Sequence, residues 1–208
     1  MTKNELVGIW NYFLSLETDL ANTSRYIEPK GQEDVYSFEF AKLLILACTE
    51  VESVLKAICY SITGKQPTGD IGAYKKIVLE NYPRITEASV TVARLSKNIV
   101  PFSEWNDGKL SWWNAYQQVK HNRGAFFEQA TYRHAVTSIA ALYILIFYLA
   151  KIENITFHDY ESKYIDSDYC CGYLLISPSE SLPGFEKQKT DKISIDNLQV
   201  SDIIKKIE

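Results

Sequence analysis

The sequence predicts an all-α protein, an antiparallel bundle of about five helices followed by a small irregular C-terminal appendage with room for a β-hairpin. Three observations predict it. Apolar residues recur at helical intervals through most of the first 150 positions, glycine and proline punctuate them, and one stretch around Leu142 is apolar on nearly every side.

The elements follow in order. Thr2 and Glu5 stand at capping-box spacing, and Leu6, Ile9, Trp10, Phe13, Leu16 and Leu20 continue at steps of three and four. This first helix fades by Tyr26, ahead of the loop Pro29-Lys30-Gly31-Gln32. A second helix spans 37–62 and stops at Gly64. Its run Leu43-Leu44-Ile45-Leu46-Ala47 is apolar nearly all round and narrows to the stripe Val51, Val54, Leu55 and Ile58, the pattern of a central helix. Glu52 and Lys56 form an i, i+4 pair on it. After the turn Gln66-Pro67-Thr68-Gly69, a short helix covers 71–82 and ends at Pro83. Between 84 and 105, Val90, Thr91, Val92, Ile99 and Val100 suggest extended chain, while 87–95 also admits a helical turn. Ser111 caps a fourth helix running from Trp112 to at least Asn122, with Gly124 as the place where it bends. The fifth helix covers 130–152. The bundle is therefore assigned to 1–152 and the appendage to 153–208. In the appendage, 169–176 is strand-like, Tyr164 and Ile165 offer a hairpin partner across Asp166-Ser167-Asp168, and 200–207 reads as a short terminal helix.

Composition narrows the function classes. A chain of 208 residues, 46% apolar and 23% charged, is that of one globular domain with a proper core. The net charge of −4 offers no global attraction for nucleic acid, so an RNA site would have to be a local basic patch. Residues 1–150 hold 15 basic and 15 acidic side chains, and 151–208 hold 7 and 11, so the excess lies in the appendage. Cys48 and Cys59 sit in an apolar run as small hydrophobes, and adjacent Cys170 and Cys171 are poorly placed to chelate a metal. His158-Asp159 lacks ligand spacing towards them, so no metal or other cofactor is expected. With the polar start Met1-Thr2-Lys3-Asn4, the cytoplasm is the expected setting. The apolar run 135–150 falls short of the roughly 20 residues of a span, so no membrane is expected as a partner. Neither a phosphate-binding glycine loop nor a Gly-x-Ser-x-Gly elbow is present, which leaves nucleotide hydrolysis and serine esterase chemistry without support.

The densest chemistry is Trp112-Trp113-Asn114-Ala115-Tyr116-Gln117-Gln118-Val119-Lys120-His121-Asn122-Arg123. Arginine and lysine hold phosphate, histidine moves a proton near neutral pH, and rings stack on unpaired bases. The same residues also permit a structural network, with Arg123 and Lys120 paired to Glu50 or Glu52 and His121 bonded to a backbone carbonyl. Trp112 and Trp113 suit a core or a dimer face as well as a base platform.

This stretch, with Phe127 and the long apolar helix after it, resembles a bacterial branch of the HEPN superfamily. The upstream Leu43-Leu44 … Glu50-Val51-Glu52-Ser53-Val54-Leu55-Lys56 and Pro101-Phe102 … Trp105 fit the same resemblance, which covers about 38–149. It implies an antiparallel bundle, frequently a homodimer, and RNA as the usual target. HEPN ribonucleases usually carry an arginine four to six residues before a histidine. Here no arginine stands so before His121, His134 or His158, and His121 instead precedes Arg123. The expectation is a non-catalytic or weakly catalytic dimerisation module that binds RNA, a nucleotide or a protein, with Trp113, Asn122 and Lys56 at the ligand. The alternative is a metal-independent endoribonuclease, a toxin or phage-defence effector. In it His121 would be general acid or base, Arg123 and Lys120 would stabilise the phosphorane, and Glu52 would orient them.

Overall fold

The computed structural model describes residues 1–155 and 176–178. Five α-helices carry the fold: α1 (Lys3–Thr23), α2 (Phe38–Thr63), α3 (Ile71–Asn81), α4 (Ser111–Phe126) and α5 (Tyr132–Ile152). Local chemistry sets most of their ends. The capping box forms, with Glu5 N–H donating to Thr2 and the Thr2 N–H donating back to the Glu5 carboxylate at 2.7 Å. Ser37 and Thr131 cap α2 and α5 through their hydroxyls. Gly64 closes α2 in the left-handed region, φ 69°, its N–H donating to the Tyr60 carbonyl. No atom lies within 4 Å of a Cβ built there, so Gly64→Ala should cost only its backbone strain, about 1 kcal/mol. Urea unfolding that shows no loss would place the helix end elsewhere.

The two most extensively packed helices share a direction, and α1 opposes both. Ser37 N–H bonds the Ala130 carbonyl at 3.2 Å at one end, and the Ser61 hydroxyl bonds Glu153 at the other, so α2 and α5 run parallel. α1 runs against them: Trp10 meets Phe147 and Phe13 meets Tyr143, while the amino group of Met1 pairs with Glu153 at 2.8 Å. α2 is central, packing most extensively on α5 and touching α1, α3 and α4. Leu44, Val51, Leu55, Tyr116, Val119, Leu142 and Leu145 are all buried in one core, as their helical phasing requires.

α5 is apolar and long enough by composition to cross a bilayer, but most of it is buried against the other helices. Its position is that of a core helix. Cys48 and Cys59 are free and buried; burial holds the Cys48 thiol well up and pushes Cys59 to about 11, so both act as hydrophobes.

Residues 84–105 hold both expected forms: extended chain at 90–92 and 97–99, and a 3-10 turn at Ala93–Leu95 within 87–95. β1 (Val90–Val92) and β2 (Lys97–Ile99) pair antiparallel, Val90 opposite Ile99. β3 (Ile176–Pro178) pairs antiparallel on the other edge of β1, giving the order β2-β1-β3. The appendage thus lends a strand to the bundle's own sheet. The hairpin expected around 164–176, the terminal helix 200–207, His158, Cys170 and Cys171 lie outside the described residues.

Candidate nucleic-acid interface

Along α4, Trp112, Trp113, Ala115, Tyr116 and Val119 are buried. Successive helical residues turn by about 100°, so a straight continuation would turn one of the next four side chains towards the core. None does: Lys120, His121, Asn122 and Arg123 are all exposed. The helix breaks at Asn122, whose backbone sits at φ −150°, ψ 65°. The Asn122 carboxamide oxygen then accepts from Ala125 N–H at 3.3 Å and caps the turn that restarts. Gly124, expected to bend the helix, does not carry the break. Ser111, expected as the cap, is the first helical residue; the Glu104 carboxylate accepts from its N–H at 2.7 Å and its hydroxyl at 2.9 Å.

The expected ion-pair network does not form. Lys120 Nζ donates to Tyr116 Oη at 2.9 Å, and that bond holds the ammonium above its ordinary pKa, with Glu52 adding to the effect and Lys56 opposing it. Glu52 is bound to Lys56 at 2.7 Å, and so acts on Lys120 only through space. Glu50 lies on the other side of α2, where it raises the pKa of Tyr12; burial raises its own. Arg123 makes no ion pair among the described residues. Its guanidinium lies over the Phe38 ring, 5.8 Å from the centroid, a contact of about 0.5–1 kcal/mol at an exposed site. His121 makes no hydrogen bond among the described residues. The carbonyl-bonded histidine is His134, at the start of α5; its Nδ1 donates to the Gln129 carbonyl at 2.7 Å.

The two cations diverge. Lys120 reaches back beside the Glu52–Lys56 pair, whereas Arg123 reaches Phe38 at the first turn of α2. Positions 38 and 52 are separated by about 21 Å of helix. One phosphate does not span that distance, so Lys120 and Arg123 suit different points along an extended polyanion. Trp113 is buried against Trp112 and Tyr116, a core ring and not an open platform. Trp112 is likewise buried in the core, and Trp10, half-buried, stacks on Phe13 at its edge.

Sequence reasoning missed the aromatic group beside Arg123. Phe38 stacks near Phe127 at 4.7 Å, and Tyr36 meets Phe127 edge-on at 5.3 Å. Backbone bonds hold the group in place: Tyr36 pairs with Thr131, and Tyr132 N–H donates to the Val35 carbonyl at 3.0 Å. A signal was present. Phe38 stands two residues before buried Phe40, about 200° round the helix, and so on its outer face.

Comparison of this chain with protein families, with curated proteins and with solved structures returned no match.

Proposed function

We propose that the protein is a HEPN-like helical module that binds RNA along the broken end of α4, without strong cleavage. The observation that carries this reading is the break at Asn122, which delivers Lys120, His121, Asn122 and Arg123 together to solvent, with no acidic partner bonded to either cation among the described residues. Lys56, exposed beside Lys120, extends the basic track, although its ion pair with Glu52 reduces its pull. Trp113 supports the helix from the core. Homodimerisation is part of the proposal on the family resemblance alone, since the tryptophans offered for a dimer face are packed inside the protomer; sedimentation tests it. The two buried free thiols suit a reducing cytoplasm.

Fluorescence polarisation with a labelled single-stranded RNA tests the reading. Affinity should fall roughly tenfold between 50 and 200 mM salt, the response of two or three neutralised phosphates. Lys120→Ala and Arg123→Ala should each weaken binding and flatten that salt dependence, with little change in melting temperature, because both side chains are exposed. Absence of salt-dependent binding rejects the reading.

The second reading, a metal-independent ribonuclease, is favoured by one feature, the exposed and unbonded imidazole of His121. It requires RNA cleavage in chelator that His121→Ala and Arg123→Ala each reduce by roughly a hundredfold.

A further inference from the structure

We infer that Phe38, Tyr36 and Phe127, with Arg123, form a stacking site for an unpaired nucleobase, which makes single-stranded RNA the preferred form of ligand. This rests on the RNA-binding reading and deepens it. Phe38 is 69% and Tyr36 50% exposed; Tyr26 and Tyr60 are also open, but Phe38 and Tyr36 are the exposed rings that meet on a shared third ring, Phe127. Phe127 bridges the two, and backbone pairing between 35–37 and 130–132 fixes the segment that carries Tyr36.

Area decides between occupants. The two rings leave roughly 250 Å² open, from side chains that cover about 150–250 Å² each. A stable protein interface needs about 800 Å² per partner, so this patch is too small for a second copy or a folded partner on its own. It matches one or two flat bases. The chemistry agrees. Arg123 already rests over Phe38, and arginine recognises both π-faces and phosphate. A base that takes the guanidinium's place on the ring leaves Arg123 free to grip the adjoining phosphate. Bases in a duplex are stacked on each other and offer no open face to Phe38, whereas a single strand does.

The test compares binding of one labelled 12-nucleotide RNA, single-stranded and as its duplex, to the full chain. Wild type should favour the single strand. Phe38→Leu keeps apolar bulk but removes the ring, and should weaken single-strand binding about 5- to 100-fold. Phe38→Tyr should retain it. The ring carries no charge, so Phe38→Leu should leave the salt slope unchanged, while Arg123→Ala should lower it by about 0.7. Circular dichroism confirms that each variant is folded. Wild-type binding that is salt-dependent but indifferent to Phe38→Leu, or equal for duplex and single strand, overturns the stacking site and leaves the RNA-binding reading standing. No RNA binding by wild type overturns both. A wild-type dimer that Phe38→Leu dissociates, with RNA affinity unchanged, overturns the site in favour of a protein contact.

Discussion

Trp112→Ala should lower the unfolding free energy by about 3–5 kcal/mol, among the largest effects of any single substitution in this chain. Trp112 is fully buried, edge-on to Phe102 at 6.2 Å and to Trp113 at 5.9 Å. Its indole N–H donates to the Pro101 carbonyl at 2.8 Å. Truncation therefore opens a cavity and also leaves a buried carbonyl without its donor. Trp112→Phe separates the two losses: it keeps much of the volume but strands the carbonyl, and should cost about 1–3 kcal/mol. Because the same side chain anchors the start of α4 to 101–105, on the proposed RNA-binding reading the alanine variant should also bind RNA poorly at temperatures where wild type is fully folded. Equilibrium urea unfolding decides the matter. A loss under 1 kcal/mol for the alanine variant would mean that α4 is held by something other than this ring.

The second large effect is alkaline unfolding. Burial pushes the phenols of Tyr132, Tyr143 and Tyr148 well up from the ordinary value of 10.0. In the unfolded chain these groups release their protons near pH 10; in the folded chain they keep them. Above that pH the unfolded state binds fewer protons, so stability, fully present below pH 10, falls as pH rises towards the folded-state values. Each pH unit in that window costs about 1.4 kcal/mol per tyrosine, and so about 4 kcal/mol for the three. That is a large share of a typical domain's stability. Phenolate absorbance from these three buried rings should therefore appear only well above pH 10, together with the loss of helical circular dichroism. A single titration near pH 10 with helix intact would show that these rings are open to solvent.

How much of this could be read from the sequence differs between elements. The capping box of Thr2 and Glu5 and the stop at Gly64 were legible because each is made by residues a few positions apart. The buried set Leu44, Val51, Leu55, Leu142 and Leu145 was legible because a helix with that apolar phasing has one face, or none, to give to water. The candidate site was half legible. Lys120, His121, Asn122 and Arg123 stood out by residue type, but the pairing of the cations with Glu50 or Glu52 did not survive folding.

The sequence by itself determined the helical class, the order of the helices, the centrality of α2 and the burial of α5, since these depend on period and local caps. Tertiary structure alone decided the rest. Glu104 caps α4 from seven residues away. β3, more than seventy residues along the chain from its partner, completes the sheet. The break falls at Asn122 and not at Gly124, and Arg123 rests on Phe38 and not on an acid. Periodicity says whether a side chain points inward or outward. It does not say which outward-pointing groups meet, because a cation's partner is chosen by the packing of elements distant in the chain.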